Sequence, residues 1–102
     1  MIIKIEDSVA PMKRYKATVQ TQYGIKHFDF GFKGGHTFID GATELEKRNY
    51  WKRHMANGTE ERLLENLIPS PSLLSAFLLW GKHKTLVENV KELNRLWKKT
   101  YH

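Results

Sequence analysis

Tyr15-Lys16-Ala17-Thr18-Val19-Gln20-Thr21-Gln22-Tyr23-Gly24, followed shortly by Phe28-Asp29-Phe30-Gly31-Phe32, sets the architecture. In the first stretch Tyr15, Ala17, Val19 and Thr21 alternate with Lys16, Thr18 and Gln20. In the second, Phe28, Phe30 and Phe32 alternate with Asp29 and Gly31. Successive side chains of a strand point to opposite faces, so this period of two describes strands with one buried face. Gln22-Tyr23-Gly24 supplies the turn between them, which makes the pair an antiparallel hairpin. Towards the N-terminus, Ile2, Ile3 and Ile5 read as a further short strand, and Ala10-Pro11 breaks the chain before the hairpin.

Beyond the hairpin the period changes. Thr43 with Glu46 fits a capping box, and a helix runs from there to about Ala56. Asn57-Gly58 ends it, and Thr59 caps the next helix, with Glu60 and Glu61 in its first turn. Pro69 and Pro71 stop that helix. Ser70-Pro71 then reads as N-cap plus first residue of another, which carries Leu73, Leu74, Phe77, Leu78 and Trp80 and ends at Gly81. Thr85 with Glu88 is a second capping box. Leu86, Val90, Leu93 and Trp97 follow at i, i+4, i+7 and i+11, one stripe of a final helix. The expected fold class is α+β: a small N-terminal antiparallel β-meander of about three strands, then three to four α-helices. Residues 1–102 form a single domain, mainly β over 1–35 and mainly α over 43–99.

Composition excludes several classes. The 102 residues include 17 Lys plus Arg against 11 Asp plus Glu, a formal charge of +6, and no cysteine. The absence of cysteine removes disulfide scaffolds and thiolate metal sites, and fits a reducing compartment. The apolar run Leu73 to Trp80 falls far short of the ~20 residues of a membrane span. The first 20 residues carry charges throughout and no apolar core of a signal peptide, so the chain reads as not secreted and without a membrane span. A chain this short leaves little room for a buried catalytic cleft, which favours binding or assembly over catalysis.

Lys47, Arg48, Tyr50, Trp51, Lys52 and Arg53 interleave basic groups with aromatics. Phosphates are bound by Lys and Arg, and unpaired bases stack on Tyr or Trp, so this stretch is a candidate nucleic-acid face. An amphipathic helix with Trp51 turned inward and solvated lysines explains the same residues. Gly31-Phe32-Lys33-Gly34-Gly35 lacks the spacing of a phosphate-binding P-loop and reads as a strand exit. The histidines His27, His36, His54, His83 and His102 form no short ligand pair, so no metal and no cofactor are expected. No nucleophile elbow or H-E-x-x-H is present, and Ser70, Ser72 and Ser75 read as caps or small packing residues, so no catalytic residue is assigned.

Leu73, Leu74, Phe77, Leu78 and Trp80 exceed one helical stripe, which in a domain this small points to a protein interface. The charge surplus lies beside it. Residues 1–40 carry 6 basic and 4 acidic groups, 41–70 carry 5 and 5, and 71–102 carry 6 and 2. Lys91, Arg95, Lys98 and Lys99 of the last helix are therefore the candidate contacts to an acidic partner or genome.

Phe30-Gly31-x-Lys33-Gly34, Thr37, Lys47, Tyr50-x-x-Arg53-His54, Leu79-Trp80-x-Lys82 and a final amphipathic helix with Val90, Leu93 and Arg95 occur in that order. Over about residues 13 to 97 this resembles an uncharacterised family of small basic proteins of large DNA viruses and marine tailed phages. The chain departs from that family's pattern in places. Phe38-Ile39-Asp40 stands where the family has His-Lys-Asp, Ala76 lies near its Arg, and Glu61-Arg62-Leu63-Leu64 replaces an acidic-x-Trp. The resemblance implies a shared fold and a viral setting, and no activity. The expected function is a non-enzymatic virus-encoded structural or assembly protein, a minor capsid-associated component acting through contacts with other virion proteins. It would be located in the virion or the host-cell interior. The alternative is a small basic nucleic-acid-binding accessory protein.

Overall fold

The computed structural model describes residues 1–101. Three antiparallel strands, β1 (Ile2–Asp7), β2 (Lys13–Thr21) and β3 (Gly24–Phe32), form one sheet in the order β1-β2-β3. A 3-10 turn (Phe38–Asp40) follows. Then come α1 (Glu44–Met55), α2 (Gly58–Glu65), the short α3 (Pro71–Leu74), a π-helical turn (Ser75–Leu79) and α4 (Leu86–Tyr101). The α+β expectation is met. Among the described residues no helix is long and apolar enough to cross a membrane.

The alternation in the hairpin holds for Tyr15, Ala17, Val19, Phe28 and Phe30 but not for Phe32, which follows Gly31 at φ +79° and is 60% exposed. Ala17, Val19 and Phe30 are buried on one face, and Phe28 and Tyr15 pack against the same core. The hairpin turns at Thr21, whose hydroxyl donates to Gly24 O at 2.8 Å, with Gly24 at φ +106°. β1 slips register between Ile2 and Lys4. There the side chain of Asn94 on α4 takes over the edge pairing: it accepts from Ile2 N at 2.7 Å and donates to Ile2 O at 3.2 Å. That double contact covers part of an edge strand that would otherwise present unpaired backbone.

The Thr43/Glu46 capping box forms in full, whereas the Thr85 hydroxyl accepts from Glu88 N and donates to Glu88 Oε1, with no return contact to Thr85 N among the described residues. Ser70 caps α3 by accepting from Leu73 N. The start of α2 differs from expectation. Asn57, not Thr59, is the cap, because its Oδ1 accepts from both Thr59 N and Glu60 N, and Gly58 is already helical.

The larger correction concerns the apolar segment. Leu73, Leu74 and Leu78 are completely buried, and Phe77 and Trp80 are half-buried against the core. α3 lies against β3, the π turn lies against α4, and Trp51 and Tyr50 of α1 cover Phe77 and Trp80. The π turn, closed by Trp80 N donating to Ser75 O, spreads the apolar residues over several directions, each of which is filled by the chain itself. Burying a leucine is worth about 2 kcal/mol, so turning these three outward would cost about 6 kcal/mol. A small domain has a total margin of about 5–15 kcal/mol. Leu73, Leu74 and Leu78 are core and offer no surface to the expected protein interface, while Phe77 and Trp80 pack against that core with part of their surface exposed.

Candidate functional site

α1 has two opposite faces, and the helical period sorts its residues between them. Positions 47, 50, 51 and 54 recur at i, i+3, i+4 and i+7 and face the protein. Lys47 Nζ donates to Gly81 O at 3.1 Å and sits 4.4 Å from the centre of the Phe38 ring. Lys84 Nζ lies 5.5 Å from the same ring, so two ammonium groups share one aromatic. Tyr50 stacks on Trp80 with ring centres 4.7 Å apart and planes 10° from parallel. Its other neighbour is His54, at 4.1 Å. Trp51 donates its indole N–H to Trp80 O at 2.7 Å and meets the Phe77 ring edge-on. His54 Nδ1 is 2.5 Å from Glu60 Oε2, which ties α1 to α2. Burial, aided by the Glu60 charge, pushes the Tyr50 hydroxyl up to about 12.

The six residues expected to form a nucleic-acid face therefore split. Tyr50, Trp51 and Lys47 are engaged within the protein: Tyr50 contacts the Trp80 and His54 rings, and Trp51 is held by Trp80 O and the edge-on Phe77 ring, so both aromatic rings are partly covered by the chain itself. Arg48, Lys52 and Arg53 are exposed on the outer side and make no ion pair among the described residues. Arg53 also lies 6.0 Å from the Tyr50 ring. Four residues along a helix advance about 6 Å, so Arg48 and Lys52 present two cations on one stripe.

The last helix behaves similarly. Lys91, Lys98 and Lys99 are exposed and form no ion pair among the described residues, whereas Arg95 is spent on Glu92 through contacts of 2.7 and 3.0 Å. The glycine loop after β3 is a strand exit: Lys33 N donates to Met12 O and Gly35 N to Phe32 O, both at 2.9 Å. Those two N–H groups are therefore committed within the chain and do not point to a ligand. The histidines disperse. His27 meets Thr18, His83 lies 3.9 Å from Glu88, and His102 falls outside the described residues. Among the described residues no three His, Asp or Glu side chains are grouped to hold a metal ion.

Sequence reasoning missed Asn89. It is 1% exposed, donates to Leu78 O and His83 O at 2.9 Å each, and accepts from His83 N at 2.8 Å. Those three bonds fix the segment that carries Trp80 O and Gly81 O, the acceptors for Trp51 and Lys47. The signal was present: position 89 falls on the inward stripe of 86, 90, 93 and 97. Arg14 was missed too. It forms a two-pronged contact with Asp40 at 2.6 and 2.7 Å and holds the Asp40 carboxyl well below the usual carboxylate range.

Some residues of the ordered pattern from Phe30 to Trp80 contact one another in the structure. Gly31 packs so closely on Leu79 that a Cβ would lie 2.9 Å from Leu79 Cδ1. Thr37 caps the turn whose Phe38 lies beneath Lys47, and Tyr50 stacks on Trp80. A model of a family of unknown function (DUF5754) matches residues 3–54, which span the sheet, the 3-10 turn and nearly all of α1. No curated protein and no solved structure matches the chain.

Proposed function

The chain belongs to the DUF5754 family, whose function is unknown, and we propose, from the sequence resemblance together with its exposed cations, that it is a non-enzymatic, virus-encoded structural protein. It is a minor component of the particle that contacts the genome through phosphates. The observation that carries this reading is the outer face of α1, where Arg48, Lys52 and Arg53 stand exposed and without acidic partners among the described residues. Lys91, Lys98 and Lys99 on α4 add a second cationic stripe. Phosphate contacts of this kind confer affinity without sequence preference. The aromatic rings are spent on packing, so the protein holds backbone rather than reading bases. The viral setting rests on the family resemblance.

Two experiments test the two parts. Proteomics of purified virions should find the protein in the particle. Its absence there would leave the second reading, a nucleic-acid-binding accessory protein outside the particle, which rests on the same outer face of α1. Binding of the full chain to duplex DNA and to RNA at low salt should collapse in the Arg48→Glu/Lys52→Glu/Arg53→Glu variant. Parent-like binding by that variant would remove the basis of both readings.

A further inference from the structure

Where β2 turns into β3, the sheet, the segment between α2 and α3 and the end of α4 enclose a partly open cavity of about 650 Å³. It lies at the other end of β3 from the 3-10 turn and α1. Trp97 and Phe28 line its deeper part, and the more exposed Tyr23, Ile68 and Tyr101 form its rim. The polar ends of two of these rings are already committed. Trp97 Nε1 donates to Leu67 O at 2.8 Å, and the Tyr101 hydroxyl donates to Asn66 O. The rings therefore offer carbon faces to the cavity. Lys26 and Lys98 are the charged side chains of the lining, both exposed, and no acidic residue lines it.

Small-molecule sites occupy about 300–1,000 Å³ and combine apolar walls with a few polar groups that set orientation. This cavity has that size and that composition, with charge of one sign at its rim. The geometry points to a binding site for an amphipathic organic anion. Its apolar body lies between Phe28, Trp97 and Tyr23, and its anionic head is held by Lys26 and Lys98. The aromatic walls supply area and the two ammonium groups supply selection by charge, since a cationic amphiphile would meet like charges at the mouth. The site is separate from Arg48, Lys52 and Arg53, which carry the proposed phosphate contacts, and shares only Lys98 with the cationic stripe of α4.

The test uses the full chain and two dyes of similar shape: the anion 1-anilinonaphthalene-8-sulfonate and the uncharged N-phenyl-1-naphthylamine. Fluorescence reports binding, and amide chemical shifts report place. Both dyes should bind, with shifts confined to residues 20–28, 66–69 and 97–101. Lys26→Glu/Lys98→Glu should weaken the anionic dye about tenfold or more and leave the uncharged dye unchanged. Both substituted positions are exposed, and an unaltered melting curve confirms that the variant folds. Dodecanoate should displace the anionic dye and dodecyltrimethylammonium should not. Shifts elsewhere in the chain, equal losses for both dyes, displacement by both amphiphiles, or no binding of either dye would overturn the proposal.

Discussion

Replacing Asn89 by alanine removes three hydrogen bonds at once and leaves two carbonyls and one N–H of the Leu78–His83 segment without their partner. Each such bond is worth about 1 kcal/mol net, and a buried group left unpaired adds its own desolvation cost. The contact to Leu78 O is fully buried, so no water compensates there. A loss of about 3 kcal/mol follows. In a domain of this length each kcal/mol moves the midpoint by about 4–8 °C, so Tm should fall by roughly 12–24 °C. Thermal and urea melts followed by far-UV circular dichroism give the number. The loss should also blunt the near-UV signal of Trp51 and Trp80, because their alignment depends on Trp80 O being held in place. A destabilisation below about 1 kcal/mol would refute the view that Asn89 fixes the segment on which α1 rests.

Three further outcomes follow from single contacts. Gly31→Ala should cost about 1–3 kcal/mol in urea melts, because Gly31 sits at φ +79° with Leu79 Cδ1 2.9 Å and Arg14 Cβ 3.2 Å from the added carbon. Asp40 titrates below its unfolded value because of Arg14 and, secondarily, Thr37. Its pairing therefore stabilises the fold fully above about pH 4–5 and is lost as the pH falls through the carboxylate range, so Asp40→Asn should flatten the acid side of the stability profile. Tyr50 should ionise at about 12 in an absorbance titration, pushed up by its burial. Since the unfolded phenol ionises near about 10, this contribution to stability is present below that pH and is lost above it, and Tyr50→Phe should remove that alkaline component.

Much of this architecture is written locally in the chain. The alternation over Tyr15–Thr21 and Phe28–Phe32 specifies the hairpin, and Thr43, Ser70 and Thr85 mark helix starts that the structure uses. The destination of the apolar residues is not written there. Leu73, Leu74 and Leu78 carry the same pattern whether a partner or the chain's own α1, α4 and β3 covers them, and that choice is made by tertiary packing. The basic–aromatic stretch of α1 contained its own resolution. The spacing of Lys47, Tyr50, Trp51 and His54 already separates an inward face from Arg48, Lys52 and Arg53. The cavity near Trp97 draws on the hairpin turn, the segment after α2 and the last turn of α4, so no window of sequence holds it.

The central claim is that three exposed cations on α1 contact phosphates while the neighbouring rings do not touch bases. The salt dependence of binding tests it most directly. For duplex DNA the slope of log K against log salt is about −0.9 per phosphate contact. Arg48→Gln/Lys52→Gln/Arg53→Gln should therefore make the slope shallower by about 2.7, with no change in preference among sequences. An unchanged slope would contradict the account.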